Sequence, residues 1–201
     1  ENDAFSDAEF MVDVEGLSSP RVCALLNALV AEMPEEERYL EIGTWKGLTL
    51  LSAAYGNEDK QCVGCDLFRL WGPATGFGPL ARVQLRNNLR HYRSSCGEVR
   101  FHETSFQELF LKGRVDPPVG VYFYDADHSY EGTYEGLEDV YPYLSPRSYV
   151  MMDDWSDPTI KEATYTAIRD LQMTIHWQAQ LEGNHDEESW WNGLGVFYVE
   201  K

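Results

Sequence analysis

The sequence lacks an excess of positive charge and a long apolar segment. Lys and Arg number 16 against 34 Asp and Glu, which gives a formal net charge of -18. Such a protein repels nucleic-acid phosphates and anionic membrane surfaces, so neither is expected as a partner. No run of about 18 apolar residues and no basic-then-apolar leader occurs, which predicts a soluble, cytoplasmic protein with no spanning helix or export signal.

Cysteine is scarce, with only four in the chain. Cys62 and Cys65 form a C-x-x-C pattern, which in other settings binds zinc or carries redox chemistry. Here the pattern falls within a predicted buried strand, where residues three apart face opposite sides. We therefore expect core thiols at these positions.

The length and composition suit one α/β domain. A chain of 201 residues with 43% hydrophobic residues can bury one full core, and is short for two. Residues 1–17 are acidic with scattered apolar positions and no clear period, which predicts an N-terminal arm or flap. Residues 18–201 are expected to form a single domain.

Helical and strand periodicities alternate along that domain. Ser19 and Pro20 supply an N-cap and a first-turn proline for a helix that ends before Pro34. Strand patterns recur at about 39–42, 61–66, 99–102, 121–124 and 149–152, and helical patterns at about 48–55, 80–93, 130–144 and 158–172. This alternation predicts a three-layer α/β sandwich with a mostly parallel sheet.

Two late strands are predicted at Thr174–Leu181 and Leu194–Val199. The connection between them is acidic and contains tryptophans, which suits an antiparallel pair at the end of the sheet. Trp190 and Trp191 in this connection could line a substrate pocket or staple the hairpin. The Gly- and Pro-rich segment 71–79 is predicted to be a loop, either a lid or a surface insertion.

A strand, a tight turn and a helix start are predicted at Glu41-Ile42-Gly43-Thr44-Trp45-Lys46-Gly47. Glycine lets the backbone approach a ligand closely, and a helix start offers free N–H groups, so a cofactor site is expected. A dinucleotide site requires G-x-G-x-x-G and a phosphate loop requires G-x-x-x-x-G-K-[ST]. Trp45 stands where the middle glycine of the dinucleotide motif would be, so pyrophosphate binding is disfavoured.

Asp66 ends the second predicted strand, 25 residues beyond Glu41. An acid at that place in a nucleoside-binding α/β fold accepts hydrogen bonds from the ribose hydroxyls. The spacing therefore agrees with a nucleoside cofactor, although a single Asp at a strand end can also be a cap or a surface acid.

Two further strands end on acids. Asp125 follows the strand at 121–124, and Asp153 and Asp154 follow the strand at 149–152. Ligands of open α/β sheets bind beyond the carboxyl ends of the strands. Three converging carboxylates repel one another unless a proton or a cation intervenes. A hard divalent cation with oxygen ligands, such as Mg2+, is therefore expected.

Three motifs together resemble class I S-adenosylmethionine-dependent methyltransferases, in particular the family that includes the macrocin-type sugar O-methyltransferases. They are the glycine turn at 41–47, the segment Asp125-Ala126-Asp127-His128-Ser129-Tyr130-Glu131 and the segment Met152-Asp153-Asp154-Trp155. Catechol and caffeoyl-coenzyme A O-methyltransferases are more distant relatives. The resemblance covers residues 38–156 and implies a Rossmann-like methyltransferase sandwich.

The resemblance implies specific roles for these residues. The metal would be held by Asp125, Asp153 and Asp154. The glycine turn would wrap the amino-acid end of S-adenosylmethionine, and the residues after the third strand would contact adenine. The implied cofactor-binding residues are Glu41, Gly43, Thr44, Trp45, Gly47, Asp66, Ser105, Phe106 and Asp125.

Asp125 and His128 are the predicted catalytic residues. A metal-bound hydroxyl is both positioned for methyl transfer and made more acidic. His128 would then remove its proton, because an ordinary imidazole pKa near 6.5 suits a base at neutral pH. The macrolide-sugar type also has histidine at this place, whereas the catechol type has lysine. Asp127 could contact the cofactor or the metal, or cap the following helix, and the cap is the favoured interpretation.

The expected activity is O-methyl transfer to a small metabolite, sugar or phenol-like. The chain is short for a macrolide-sugar enzyme, and catechol-type enzymes usually carry Asn where Asp154 stands, so the acceptor is open. Alternatives are a metal-independent methyltransferase and a non-catalytic S-adenosylmethionine-binding protein. A nicotinamide oxidoreductase lacks the required glycine spacing. A homo-oligomer is possible.

Overall fold

A computed structural model describes residues 12–68, 77–184 and 189–201 of the chain. Within them, seven strands form one sheet. The strands are β1 Arg38–Ile42, β2 Gln61–Asp66, β3 Glu98–Glu103, β4 Val119–Tyr124, β5 Leu144–Met152, β6 Thr174–Leu181 and β7 Leu194–Glu200. Their order across the sheet is β3-β2-β1-β4-β5-β7-β6.

Helices cover both faces of the sheet. They are α1 Pro20–Glu32, α2 Leu48–Ala54, α3 Phe77–His91, α4 Phe106–Leu111, α5 Tyr130–Val140 and α6 Pro158–Asp170. Helices α1 and α2 share one buried apolar cluster with the sheet, and α4, α5 and α6 share the cluster on its other face. The predicted three-layer α/β sandwich is confirmed.

The direction of the strands also agrees with the prediction. Strands β1 to β5 pair in parallel, whereas β7 runs antiparallel to both β5 and β6. The chain builds β1, β2 and β3 outward and then returns to place β4 on the other side of β1. This reversal between β1 and β4 is the topological switch point, where ligands of open α/β sheets bind.

Helix starts follow the capping residues in the sequence, with one correction. The Ser19 hydroxyl accepts from the Val22 N–H at the start of α1, as predicted. At α5 the N-cap is Ser129, whose hydroxyl accepts from the Gly132 N–H at 3.0 Å. Asp127 was expected in that role, but it lies two residues earlier and accepts from the Ser129 N–H at 3.0 Å.

Two elements differ from their predictions. Helix α3 already begins at Phe77, so the last residues of the predicted 71–79 loop are helical. Pro79 is tolerated there because a proline in the first turn of a helix loses no intrahelical hydrogen bond. The remainder of that loop, up to residue 76, lies outside the described residues. Helix α4 was not predicted; its six residues are too few to show a helical period.

The cysteines are buried and free of disulfide bonds. Cys62 packs in the cluster beneath α1 and α2, whereas Cys65 packs in the cluster on the opposite face. The prediction of core thiols on opposite sides of a strand is confirmed. No helix among the described residues is long and apolar enough to cross a membrane.

Candidate functional site

A cleft of about 1070 Å³ opens at the carboxyl ends of the parallel strands. That volume is sufficient for a nucleoside cofactor together with a small second molecule. Most of the predicted site residues line it: Gly43, Thr44, Trp45, Asp66, Ser105, Phe106, Asp125, His128, Asp153 and Asp154.

Gly43 follows β1 and packs against the backbone at the end of β4, the two strands that flank the switch point. Its φ angle is 95°, and a Cβ atom there would lie 1.6 Å from the backbone oxygen of Asp125. The Asp125 N–H also donates to the carbonyl oxygen of Ile42 at 2.8 Å. Glycine was expected to allow a ligand to approach, and the structure shows that it also lets the ends of β1 and β4 touch.

Asp66 is held in place by backbone N–H groups. Its Oδ2 accepts from the Trp45 N–H at 2.6 Å, and its Oδ1 accepts from the Phe68 N–H at 2.5 Å. Burial raises the pKa of Asp66 above its ordinary value, against these two hydrogen bonds. Each carboxylate oxygen has a second lone pair. The oriented carboxylate can therefore still accept from the hydroxyls of a ribose.

Glu41 and Gly47 support the cleft without lining it. Glu41 is fully buried and accepts a hydrogen bond from the Tyr39 hydroxyl at 2.6 Å. Burial raises the pKa of Glu41 to about 8, although this hydrogen bond opposes the effect. Gly47 has a φ of 91° and precedes the first residue of α2. Direct contact of either residue with the cofactor stays a prediction.

Two neighbouring strands bring their terminal residues together next to this turn. Single ligand atoms of Asp125, His128 and Asp154 all lie within 4.8 Å of one another. The His128 Nδ1 atom is 2.6 Å from Oδ2 of Asp154, and its Nε2 atom is 3.5 Å from Oδ1 of Asp125. The predicted convergence of β4 and β5 is thus observed, with His128 between two of the acids.

Asp153 lies beside this group and is buried. Its N–H donates to the Tyr124 carbonyl at 3.0 Å, and its Oδ1 has no hydrogen-bond partner among the described residues. Burial, followed by the charges of Asp125 and Asp154, raises the pKa of Asp153 well above its ordinary value. A buried carboxyl of this kind is satisfied by a proton or by a cation.

The charge on His128 differs from the expectation. Hydrogen bonds to Asp125 and then Asp154 raise the pKa of His128 to about 10. Without a metal ion, these contacts favour the imidazolium form at neutral pH, because both ring nitrogens face carboxylates. The imidazole ring lies among the acids that were expected to hold a metal ion.

The donor set fits a hard divalent cation. Carboxylate oxygens converge from two strand ends, and the unpartnered Oδ1 of Asp153 is an available ligand atom. Such a cation would be held by Asp125 and Asp154, with Asp153 as the adjoining acid. A bound cation would neutralise the charge of these carboxylates, as a protonated His128 does when it contacts Asp125 and Asp154.

The chain segment before α1 also reaches the cleft. Gly16, Leu17 and Ser18 line it. Glu15 forms an ion pair with the buried Lys46, at 2.7 Å between Oε1 and Nζ. Part of the predicted arm therefore forms a wall of the cleft; residues 1–11 lie outside the described part of the chain.

Sequence reasoning missed Asn192 and left the tryptophans open. Trp191 and Asn192 both line the cleft, whereas Trp190 packs against the apolar cluster under α1 and α2. The Asn192 amide donates to Oδ1 of Asp154 at 2.5 Å. Its position is set by the antiparallel return of β7, and no local motif in the sequence marks it.

A family model described as "Methyltransferase domain" matches residues 40–155, more than half of the chain. No curated protein matches in sequence.

Solved structures share the fold at low identity. An O-methyltransferase from Bacillus cereus in complex with SAH has a TM-score of 0.64 at 18% identity, covering 90% of this chain and 82% of its own. The O-methyltransferase NovP has a TM-score of 0.64 at 19% identity, covering 89% and 79%. TrmN from Thermus thermophilus has a TM-score of 0.63 at 17% identity, covering 93% of this chain, which spans only 50% of TrmN.

Proposed function

The chain belongs to the methyltransferase-domain family of S-adenosylmethionine-dependent enzymes, and we propose that it transfers the methyl group to a hydroxyl of a small metabolite with the help of a divalent cation. The observation that carries this proposal is the convergence of Asp125, His128 and Asp154 in the same cleft as Gly43 and Asp66. A reacting hydroxyl at the acidic end would face the methyl group of a donor held by the glycine turn.

Residues of the cleft would hold the donor by their existing orientation. Asp66 would accept from the ribose hydroxyls, because its carboxylate is already fixed by two backbone N–H groups. Ser105 and Phe106 would lie against the adenine, and the 43–45 turn would surround the amino-acid end. Preorganised contacts of this kind lower the entropic cost of aligning methyl group and acceptor.

The acidic group would act on the acceptor. A bound divalent cation would make a coordinated hydroxyl more acidic and would neutralise the carboxylates around it. Asp125 and Asp154 would hold that cation, with Asp153 adjoining. His128 would accept the hydroxyl proton once its own proton is no longer required to balance the acids.

The acceptor is proposed to be an uncharged hydroxyl compound, of sugar or phenol-like type. NovP and the Bacillus cereus protein are O-methyltransferases by name, which supports oxygen as the acceptor atom. The carboxylates of Asp125, Asp153 and Asp154 would repel an acceptor that carries an anionic group. Trp191 also lines the cleft and precedes Asn192, whose amide contacts Asp154, so its aromatic ring could contact the acceptor.

A metal-independent methyltransferase is the second candidate. The His128 side chain already lies between Asp125 and Asp154, so a protonated His128 neutralises the charge of one of these two acids without a metal ion. In that case one of the acids would act as the base that takes the proton of the acceptor hydroxyl, and the others would accept hydrogen bonds from the acceptor. The two candidates differ in whether the apoprotein has affinity for a divalent cation.

Cation and cofactor titrations separate these candidates. We expect calorimetry to show binding of S-adenosylhomocysteine (SAH), and electron paramagnetic resonance to show binding of Mn2+. The Asp153→Asn variant should lose at least about tenfold in Mn2+ affinity while retaining SAH affinity, since it removes a carboxyl group that can ionise beside a bound cation. Asp170→Asn is the control, because Asp170 is an exposed acid at the end of α6.

Two results would decide against the proposal. A wild type that binds no Mn2+, or that binds it no more tightly than Asp153→Asn does, would favour the metal-independent candidate. Absence of SAH binding by the wild type would contradict the function altogether.

A further inference from the structure

The turn that leads into β7 is docked onto the segment that follows β5. The Trp155 N–H donates to the Gly193 carbonyl at 3.1 Å, and the Ser156 N–H donates to the Asn192 carbonyl at 3.0 Å. These bonds continue the antiparallel pairing of β5 and β7 beyond Met152, which pairs with Gly195. The turn is therefore an extension of the sheet at the edge of the cleft.

These backbone hydrogen bonds place the side chain of Asn192 next to Asp154. Its Nδ2 donates to Oδ1 of Asp154 at 2.5 Å. The other oxygen, Oδ2, contacts Nδ1 of His128 at 2.6 Å. The two carboxylate oxygens thus have separate partners, one from the β7 turn and one from the β4 end. Because the Asn192 amide donates only to Oδ1, it fixes the carboxylate and leaves Oδ2 available to accept from His128 or to bind a cation.

The backbone on both sides of the contact has an unusual conformation. Asp154 has a φ of 52° and Trp191 has a φ of 57°. Both values fall in the left-handed region, which residues other than glycine rarely adopt. Such conformations persist only where surrounding contacts fix them, and they concentrate at functional sites. Here both flank the Asn192–Asp154 hydrogen bond, and both residues line the cleft.

We infer that Asn192 is a positioning residue, which orients the Asp154 carboxylate so that Oδ2 faces His128 and Asp125, where the proposed cation would bind. The inference rests on the proposed function for the identity of that end. It adds a residue from the β6–β7 connection to a site otherwise built from the ends of the parallel strands. Removal of an outer hydrogen bond to a metal ligand typically weakens metal binding by about 10- to 100-fold.

The test compares two asparagines of the same connection. Asn192→Ala removes the donor to Asp154, and Asn184→Ala removes an exposed asparagine outside the cleft. Mn2+ alone is titrated into each purified full-length protein and followed by electron paramagnetic resonance. We expect Asn192→Ala to lose about tenfold in Mn2+ affinity and Asn184→Ala to match the wild type. Asn192→Gln, which keeps an amide donor, should recover part of the loss.

A measurement without metal tests the contact itself. Urea unfolding of wild type, Asn192→Ala, Asp154→Ala and the double variant gives the coupling of the two residues in the folding equilibrium. A direct hydrogen bond predicts non-additivity of about threefold or more in the unfolding constant, whereas Asn184 and Asp154 should be additive. The SAH affinity of Asn192→Ala should equal that of the wild type. A general collapse of the cleft would instead reduce the SAH affinity.

The outcomes separate this inference from the proposed function. Additive effects of Asn192 and Asp154 would overturn the inference, as would equal Mn2+ affinity in Asn192→Ala and Asn184→Ala. If the wild type binds no Mn2+, the metal role fails, and the coupling alone then decides whether Asn192 orients Asp154.

Discussion

At the scale of single residues, Glu41 is a buried acid whose charge is suppressed. Its pKa is raised to about 8 by burial, from an ordinary value of 4.5. Between these two values the folded state holds a proton that the unfolded state releases. The stability that depends on the neutral form is therefore complete below pH 4.5 and is lost as the pH rises towards 8.

The Glu41→Gln substitution tests this linkage. The neutral side chain has no proton to lose, so the variant should show a smaller loss of unfolding free energy between pH 5 and 8, by roughly 3 kcal/mol. Urea unfolding at several pH values measures the difference. Glu58→Gln, at an exposed position, should leave the pH dependence of the wild type intact. Parallel curves for Glu41→Gln and the wild type would show that Glu41 is ionised in the fold.

The identity of the acidic group was predictable at this scale, but its protonation was not. Asp125, Asp153 and Asp154 follow strand patterns directly, and parallel strand ends meet at one edge of a sheet. The raised pKa of His128 depends on two carboxylates approaching opposite ring nitrogens. Asn192 could not be predicted for a similar reason, since its partner lies 38 positions away in the sequence.

At the scale of elements, the glycine turn after β1 has two separate requirements. Gly43 has a φ of 95° and no room for a Cβ beside the Asp125 carbonyl. Gly56 offers a matched comparison, because its φ is 73° and a Cβ there would meet nothing within 4 Å. The two glycines share the backbone requirement, and only Gly43 has the steric one.

Alanine at each glycine separates these requirements. Gly56→Ala should cost about 1 kcal/mol in unfolding free energy for the left-handed conformation, and Gly43→Ala about 3 kcal/mol or more. Gly43→Ala should also weaken SAH binding, because it forces the ends of β1 and β4 apart. Urea unfolding and calorimetry provide the two measurements. Equal destabilisation by both substitutions would contradict the close contact of the two strand ends.

Most elements could be predicted from the periodicity of apolar residues and from the capping and turn residues at the element ends. The bounds of β6 agree with its sequence pattern at both ends, and α1 follows its serine cap and proline. Helix α4 escaped prediction since six residues make fewer than two turns. The early start of α3 was missed because glycine and proline at 78 and 79 were interpreted as helix breakers, although proline is well tolerated in a first turn.

At the scale of the whole molecule, buried cysteine thiols lie on both faces of the sheet, so their reactivity can be used to follow unfolding. Cys23 and Cys62 lie in one apolar cluster and Cys65 in the other. Burial raises the pKa of Cys23 and of Cys65 to about 12, so neither forms a thiolate at neutral pH. Each thiol is therefore both inaccessible and weakly nucleophilic in the folded protein.

Thiol labelling should accordingly follow unfolding. With an aromatic disulfide reagent at pH 8, we expect slow reaction of the native protein and rapid reaction of all four thiols in denaturant. SAH should slow the native reaction further, because a ligand that binds only the folded state reduces the population of open states. Fast reaction of one thiol in the native protein, or zinc binding that depends on Cys62 and Cys65, would contradict their assignment to the core.

The measurement that tests the central claim most directly is a crystal structure grown with SAH and Mn2+, with anomalous diffraction collected to locate the manganese. The predicted result is a manganese peak bonded to carboxylate oxygens of Asp125 and Asp154, with the SAH ribose on Asp66 and its sulfur facing the metal across the same cleft. An SAH molecule bound elsewhere, or a cleft with SAH but no manganese at these acids, would contradict a cation-assisted methyl transfer.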